Sequence, residues 1–184
     1  MQGTMLAVQG PPSGSGEQRI VAKLPPGDAG TDATVAAMIA VAREAKSARL
    51  VQQLARFLTG TAVRDEWDNL FEWCRQHITF QRDPTKVELI RHPDRIIAAV
   101  LAGEGRRRAL ADCDDMATLG ASVLLALGHR PVIVVMGRRA NRPYEHVYFG
   151  AVKSDGTCYP MDPQEVQEPG LEIPAIRRRV YGVI

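Results

Sequence analysis

Apolar positions recur with a helical period through the first half of the chain and in strand-like runs through the second. From Thr31 onward Val35, Met38, Ile39, Ala42 and Ala45 fall at i, i+3 and i+4 spacing, which predicts an amphipathic helix with Thr31 or Asp32 as its cap. A second helix is expected from about Ser47, with Leu50, Val51, Leu54 and Phe57 on its apolar side and Gly60 as its stop. The third, from about Asp65 to His77, carries Trp67, Leu70, Phe71 and Cys74 as its stripe, continued by Ile78. Cys74 is therefore read as a small core residue, and His77 as a partner of the last helical carbonyls. A short strand over residues 78–80 and a helix from Pro93 to Leu101, flanked by His92, follow.

The pattern then changes twice. Between Cys113 and Leu127 almost every position is apolar or small (Met116, Ala117, Leu119, Gly120, Val123, Leu124), which predicts a helix buried all round and closed by Gly128. Residues 131–136 hold the β-branched run Val132-Ile133-Val134-Val135, expected of a strand covered on both faces. Strands over residues 146–152 and 157–161 are joined by Ser154-Asp155-Gly156, a hairpin turn signal, and Asp162-Pro163 ends the second. Helices first, a buried helix, then an antiparallel meander define an α+β class. Residues 1–18, rich in Gly, Pro, Ser and Gln, read as a flexible arm. Residues 19–24 read as a short strand. The remaining residues, 19–184, form one expected domain with a helical part (19–77) and a core (78–165).

Composition narrows the function classes. A net charge of +2 gives no electrostatic case for nucleic acid. Arginines cluster at 106–108, 138–139 and 177–179 without an aromatic platform beside them, so solvated loops are the reading. No apolar run approaches the ~20 residues that cross a bilayer, and no secretion signal is expected, so no membrane association is foreseen. Cys74, Cys113 and Cys158 have neither metal-ligand spacing nor even number, which argues for free thiols in a reducing cytoplasm and against a metal or other cofactor.

Cys113 stands in the first turn of the buried helix, where exposed N–H groups favour a thiolate and can donate to an oxyanion. Folding the Asp155-Gly156 hairpin brings the ends near His146 and Asp162 together, so a base and its orienting acid follow from local geometry. Asp112, Asp114 and Asp115 oppose a thiolate while serving the helix start, Asp112 as its cap. Activation is thus expected through His146 rather than through the helix alone.

The stretch Ala111-Asp112-Cys113-Asp114-Asp115-Met116-Ala117, with Leu119, Leu124-Leu125 and Leu127-Gly128, resembles the nucleophile helix of the transglutaminase-like superfamily, which shares the papain-like fold. Tyr144-Glu145-His146-Val147-Tyr148 resembles its histidine strand, and residues 156–163 its closing strand. The resemblance implies Cys113 as nucleophile, His146 as base and Asp162 as orienting acid, acting on a protein or peptide amide. Residues 78–84 with Glu88 and His92-Pro93 are similar to a subgroup encoded by tailed bacteriophages and prophages. That similarity implies phage structural proteins as partners and the bacterial cytoplasm as the location, with incorporation in the virion as a further one. It also leaves open a structural or assembly role with little catalysis. Two positions depart from the pattern: Ala111 replaces a glycine and Cys158 an aromatic residue. Cys158 is read as a packing residue, with a second reactive thiol as the alternative. Gln81 has the right chemistry for a second oxyanion donor. His129 receives no role and is expected at the surface.

Overall fold

The computed structural model describes residues 7–8, 19–21, 25, 27–82, 89–103 and 109–184. The expected arm over residues 1–18 lies outside these except for Ala7–Val8, which forms strand β1. The Arg106–Arg108 cluster also lies outside them. β1 pairs with β2 (Arg19–Val21), and β2 with β4 (Leu89–Arg91), all antiparallel.

Helix α1 spans Asp28–Ala45, α2 Arg49–Leu58, α3 Val63–His77, α4 Pro93–Ala102 and α5 Cys113–Ala126. α1 begins one turn before the expected Thr31, because Gly27 at φ +71° supplies the break and neither Thr31 nor Asp32 caps it. The buried stripe of α2 is Val51, Leu54, Ala55 and Leu58, while Phe57 is 77% exposed. The apolar side is therefore rotated from the expected one, since Ala55 and Leu58 complete a 3.6-residue period with Val51 that Phe57 does not. Asp65 secures the start of α3, its Oδ2 accepting the Thr61 and Ala62 N–H groups at 3.2 and 3.0 Å.

Cys74 is fully buried, as its place on the α3 stripe requires. His77 instead packs its ring against Trp73, with centroids 5.2 Å apart. His129 is not a surface residue: its Nε2 lies 2.6 Å from Glu66 and its ring meets Trp67 edge-on. Both members of that pair are largely shielded, because α3 packs across the end of α5 that His129 follows.

α5 is the axis of the fold. All its side chains from Asp114 to Leu124 are buried, and α1, α2, α3, α4 and strands β6 and β7 pack around it. Gly120 permits the close approach of β7, since a Cβ there would lie 2.5 Å from the Phe149 ring. At the other end Gly128, at φ +83°, closes the helix. The His129 N–H donates to Leu124 O at 2.9 Å and the Gly128 N–H to Leu125 O at 3.1 Å.

The main sheet is antiparallel with order β8-β7-β6-β9, where β6 is Pro131–Gly137, β7 His146–Val152, β8 Cys158–Met161 and β9 Arg177–Gly182. Every residue of β6 is buried, as its unbroken apolar run predicts. Ile133 and Val135 face the main core, and Val132, Val134 and Met136 join Tyr148 in a second cluster on the opposite face. β9 corrects the reading of residues 177–179 as a solvated loop. They form an edge strand because their guanidinium groups find carboxylate partners on neighbouring elements. β3 (Ile78–Phe80) and β5 (Ala109–Ala111) form a separate parallel pair, so the strands are not all one meander. No helix among the described residues is long and apolar enough to cross a membrane.

Candidate active site

β5 leads directly into α5. Gln81 N–H donates to Ala111 O at 2.9 Å, extending the parallel pairing to the residue before the helix cap. Asp112 then caps α5, its Oδ1 accepting the Asp115 N–H at 3.2 Å. Cys113 follows in the first turn, partly accessible, with its sulfur approached by the N–H of Val147 and by its own N–H.

The β7–β8 hairpin closes through Asp155, whose Oδ1 accepts the Thr157 N–H at 2.8 Å, and Gly156 at φ +82°. The register pairs Phe149 with Met161. One step further, Asp162 falls opposite Tyr148 and on the sheet face that His146 shares with it. Side chains meet accordingly: His146 Nε2 and Asp162 Oδ2 are 2.8 Å apart, and Asp162 is only 2% exposed. The His146 ring also stacks on Tyr148 at 6.2 Å between centroids, and the Tyr148 hydroxyl donates to Glu172. With Nε2 committed to Asp162, Nδ1 is the ring nitrogen left for a thiol.

Cys113, His146 and Val147 line one cleft of about 290 Å³. Its opposite wall is the first part of α1, through Gly27, Gly30, Thr31 and Thr34. Among the described residues the sulfur makes no hydrogen bond to His146. It sits instead against the peptide that joins His146 to Val147. Burial above all, then the Asp114 and Asp112 carboxylates, pushes the Cys113 thiol up to about 12, against the opposing pull of the Val147 and Cys113 N–H groups. These influences favour the thiol over the thiolate. The Asp112, Asp114 and Asp115 carboxylates lie close enough together to suggest a cation site, with ligand atoms within 4.8 Å. All three are committed to the fold, however: Asp112 and Asp114 accept the Asp115 N–H, and Asp115 accepts the Arg91 N–H at 2.6 Å and its guanidinium.

Gln81 is exposed and does not line the cleft. Cys158 packs its sulfur against Gly150, where a Cβ would lie 2.8 Å away, and burial raises its thiol too. Sequence reasoning missed the α1 wall, Tyr144 and the Tyr148 support. Only the Tyr144-Glu145-His146-Val147-Tyr148 pattern hinted at the two tyrosines.

A buried helix bearing a cysteine at its tip, packed on an antiparallel sheet that carries a His–Asp pair, defines a papain-like arrangement. The model of the transglutaminase-like domain family matches residues 49–169, and the chain belongs to that family. Among solved structures, the chain is similar to a Parabacteroides distasonis protein provisionally described as a protease, with a TM-score of 0.53 and 15% identity. The alignment covers 82% of this chain and 29% of that one, so the likeness is one of fold. No curated protein matches the chain.

Proposed function

We propose that the chain is a cysteine-dependent amide hydrolase or acyltransferase, with Cys113 as nucleophile, His146 as general base and acid, and Asp162 as the group that orients the imidazole. The observation that carries this reading is the 2.8 Å His146–Asp162 contact beside the cleft that holds Cys113. With the thiol form favoured, the proton moves to His146 Nδ1 as Sγ attacks the carbonyl carbon of a protein or peptide amide. The N–H of Cys113, at the positive end of α5, donates to the oxyanion that forms. His146 then returns its proton to the nitrogen as the C–N bond breaks, leaving a thioester that water or a second amine resolves.

Residues 19–184 are read as one unit, in which the helical part (19–77) precedes the catalytic core (78–165) and β9 joins the sheet from beyond it. The similarity of residues 78–93 to phage-encoded members supports an origin in a tailed phage or prophage, with virion proteins as partners. A structural role in the particle is the rival reading, and Cys113→Ala separates the two. Loss of amide cleavage and of thioester trapping, with the fold intact, is expected for the enzyme. A mutant that cleaves a responsive peptide as well as the wild type contradicts it.

A further inference from the structure

The wall of the cleft opposite Cys113 is built by chain that the family match at 49–169 does not include. α1 precedes that stretch and β9 follows it. The two are joined to each other. Register on β6 pairs Val135 with Arg179 and Gly137 with Arg177, so both arginines point to the face where Val135 lines the cleft. Arg177 Nη2 reaches both oxygens of Asp28 at 2.8 and 2.7 Å, and Arg179 reaches Asp32 at 2.7 Å and Asp28 at 3.3 Å. The Tyr181 hydroxyl donates to Asp32 as well. Arg177 also lies 4.4 Å over the ring of Tyr144, a cleft residue beside Glu145 and His146.

Asp28 and Asp32 are one turn apart on α1, and Gly30, Thr31 and Thr34 between and beyond them face the nucleophile. Gly27 gives the helix start no side-chain cap, so the two arginines hold this end of α1 where a cap does not. We propose that Arg177 and Arg179 are positioning residues that fasten α1 across the cleft and so limit the size of the group that reaches Cys113. The inference rests on Cys113 being the reacting centre for its functional meaning. The cleft of about 290 Å³ lies between α1 and the nucleophile, so its width is set by where α1 is held. The ion pairs are partly open to solvent, with Asp28 and Asp32 side chains 42% and 50% exposed, so the fastening is weakened by salt.

The test is the selectivity of Cys113 alkylation, read site by site by mass spectrometry with iodoacetamide and with fluorescein maleimide, each scaled to its rate with glutathione. In the wild type the small reagent is strongly favoured. Arg177→Ala with Arg179→Ala lowers that preference several-fold while circular dichroism stays native. Exchanging the charges, with Asp28→Arg, Asp32→Arg, Arg177→Asp and Arg179→Asp together, restores much of it. An unchanged preference in the folded double variant overturns the proposal. Should that variant not fold, wild-type protein between about 0.05 and about 1 M NaCl decides: the preference must fall with salt, and a constant value overturns the proposal. Alkylation needs no turnover, so a catalytically silent protein can still satisfy this test, and an active one can still fail it.

Discussion

His146 and Asp162, sixteen residues apart, place Nε2 and Oδ2 at 2.8 Å because the hairpin between them has a fixed register. The contact assigns each ring nitrogen a task, since a carboxylate on Nε2 holds the proton there and turns Nδ1 outward for exchange. Tyr148 stacks on the same ring and is itself tied to Glu172, so the imidazole is held on two sides.

Asp162→Ala removes the acceptor that orients the ring. A loss of about 10²–10⁴ in kcat/KM on a cleavable peptide is expected, the usual weight of positioned acid–base catalysis. A variant within a factor of a few of wild type would remove Asp162 from the account.

Partial burial and two neighbouring carboxylates push the Cys113 thiol up. Its alkylation rate is therefore expected to climb about tenfold per pH unit through neutrality, with no plateau near pH 7. Asp114→Asn removes one opposing charge and raises the rate at a given pH. The stability consequence has a definite sign. The folded thiol binds its proton more tightly than the unfolded one at 9.0, so its contribution is complete below pH 9.0 and is lost as pH rises toward about 12. Alkaline unfolding midpoints of wild type and Cys113→Ala check this, the variant losing less stability over that window.

Gly120→Ala drives a methyl into the Phe149 ring. A destabilisation of about 1–3 kcal/mol is expected from overpacking, or a melting point lower by about 2–4 °C per kcal/mol. Because α5 carries Cys113 at its tip, the same shift also lowers activity. Thermal unfolding and steady-state rates on one preparation test both.

The His129–Glu66 pair, wedged against Trp67, is structural and far along α5 from the nucleophile. His129→Ala is expected to cost ~1–3 kcal/mol, since it leaves a shielded carboxylate without its partner. Turnover at low temperature should be unaffected in the folded fraction; a selective loss of kcat would give His129 a role that the geometry does not.

Much of this was legible in the residues. The buried helix from Cys113 and the strands carrying His146 and Asp162 announced themselves because their side chains are apolar at nearly every position or follow a clear turn signal. β9 did not, because three consecutive arginines look solvated until carboxylates on α1 and Glu172 are brought beside them from a distance. His129 escaped for the same reason, its partner lying 63 residues away. The phase of α2 differs by one position at Phe57, whose large apolar side chain hides the period set by Val51, Leu54 and Leu58. The α1 wall was beyond sequence reasoning because docking one helix across another's tip is a tertiary choice, invisible in either segment.

In the proposed reaction the sulfur of Cys113 and the imidazole of His146 act on one carbonyl. The direct measurement is intact-mass and peptide mapping after exposure to a peptide vinyl sulfone at neutral pH, in wild type, Cys113→Ala, His146→Ala and Cys158→Ala. One adduct on Cys113 is predicted in wild type and Cys158→Ala, none in Cys113→Ala, and a strongly slowed one in His146→Ala. Labelling that persists in Cys113→Ala, or that is indifferent to His146, would contradict it.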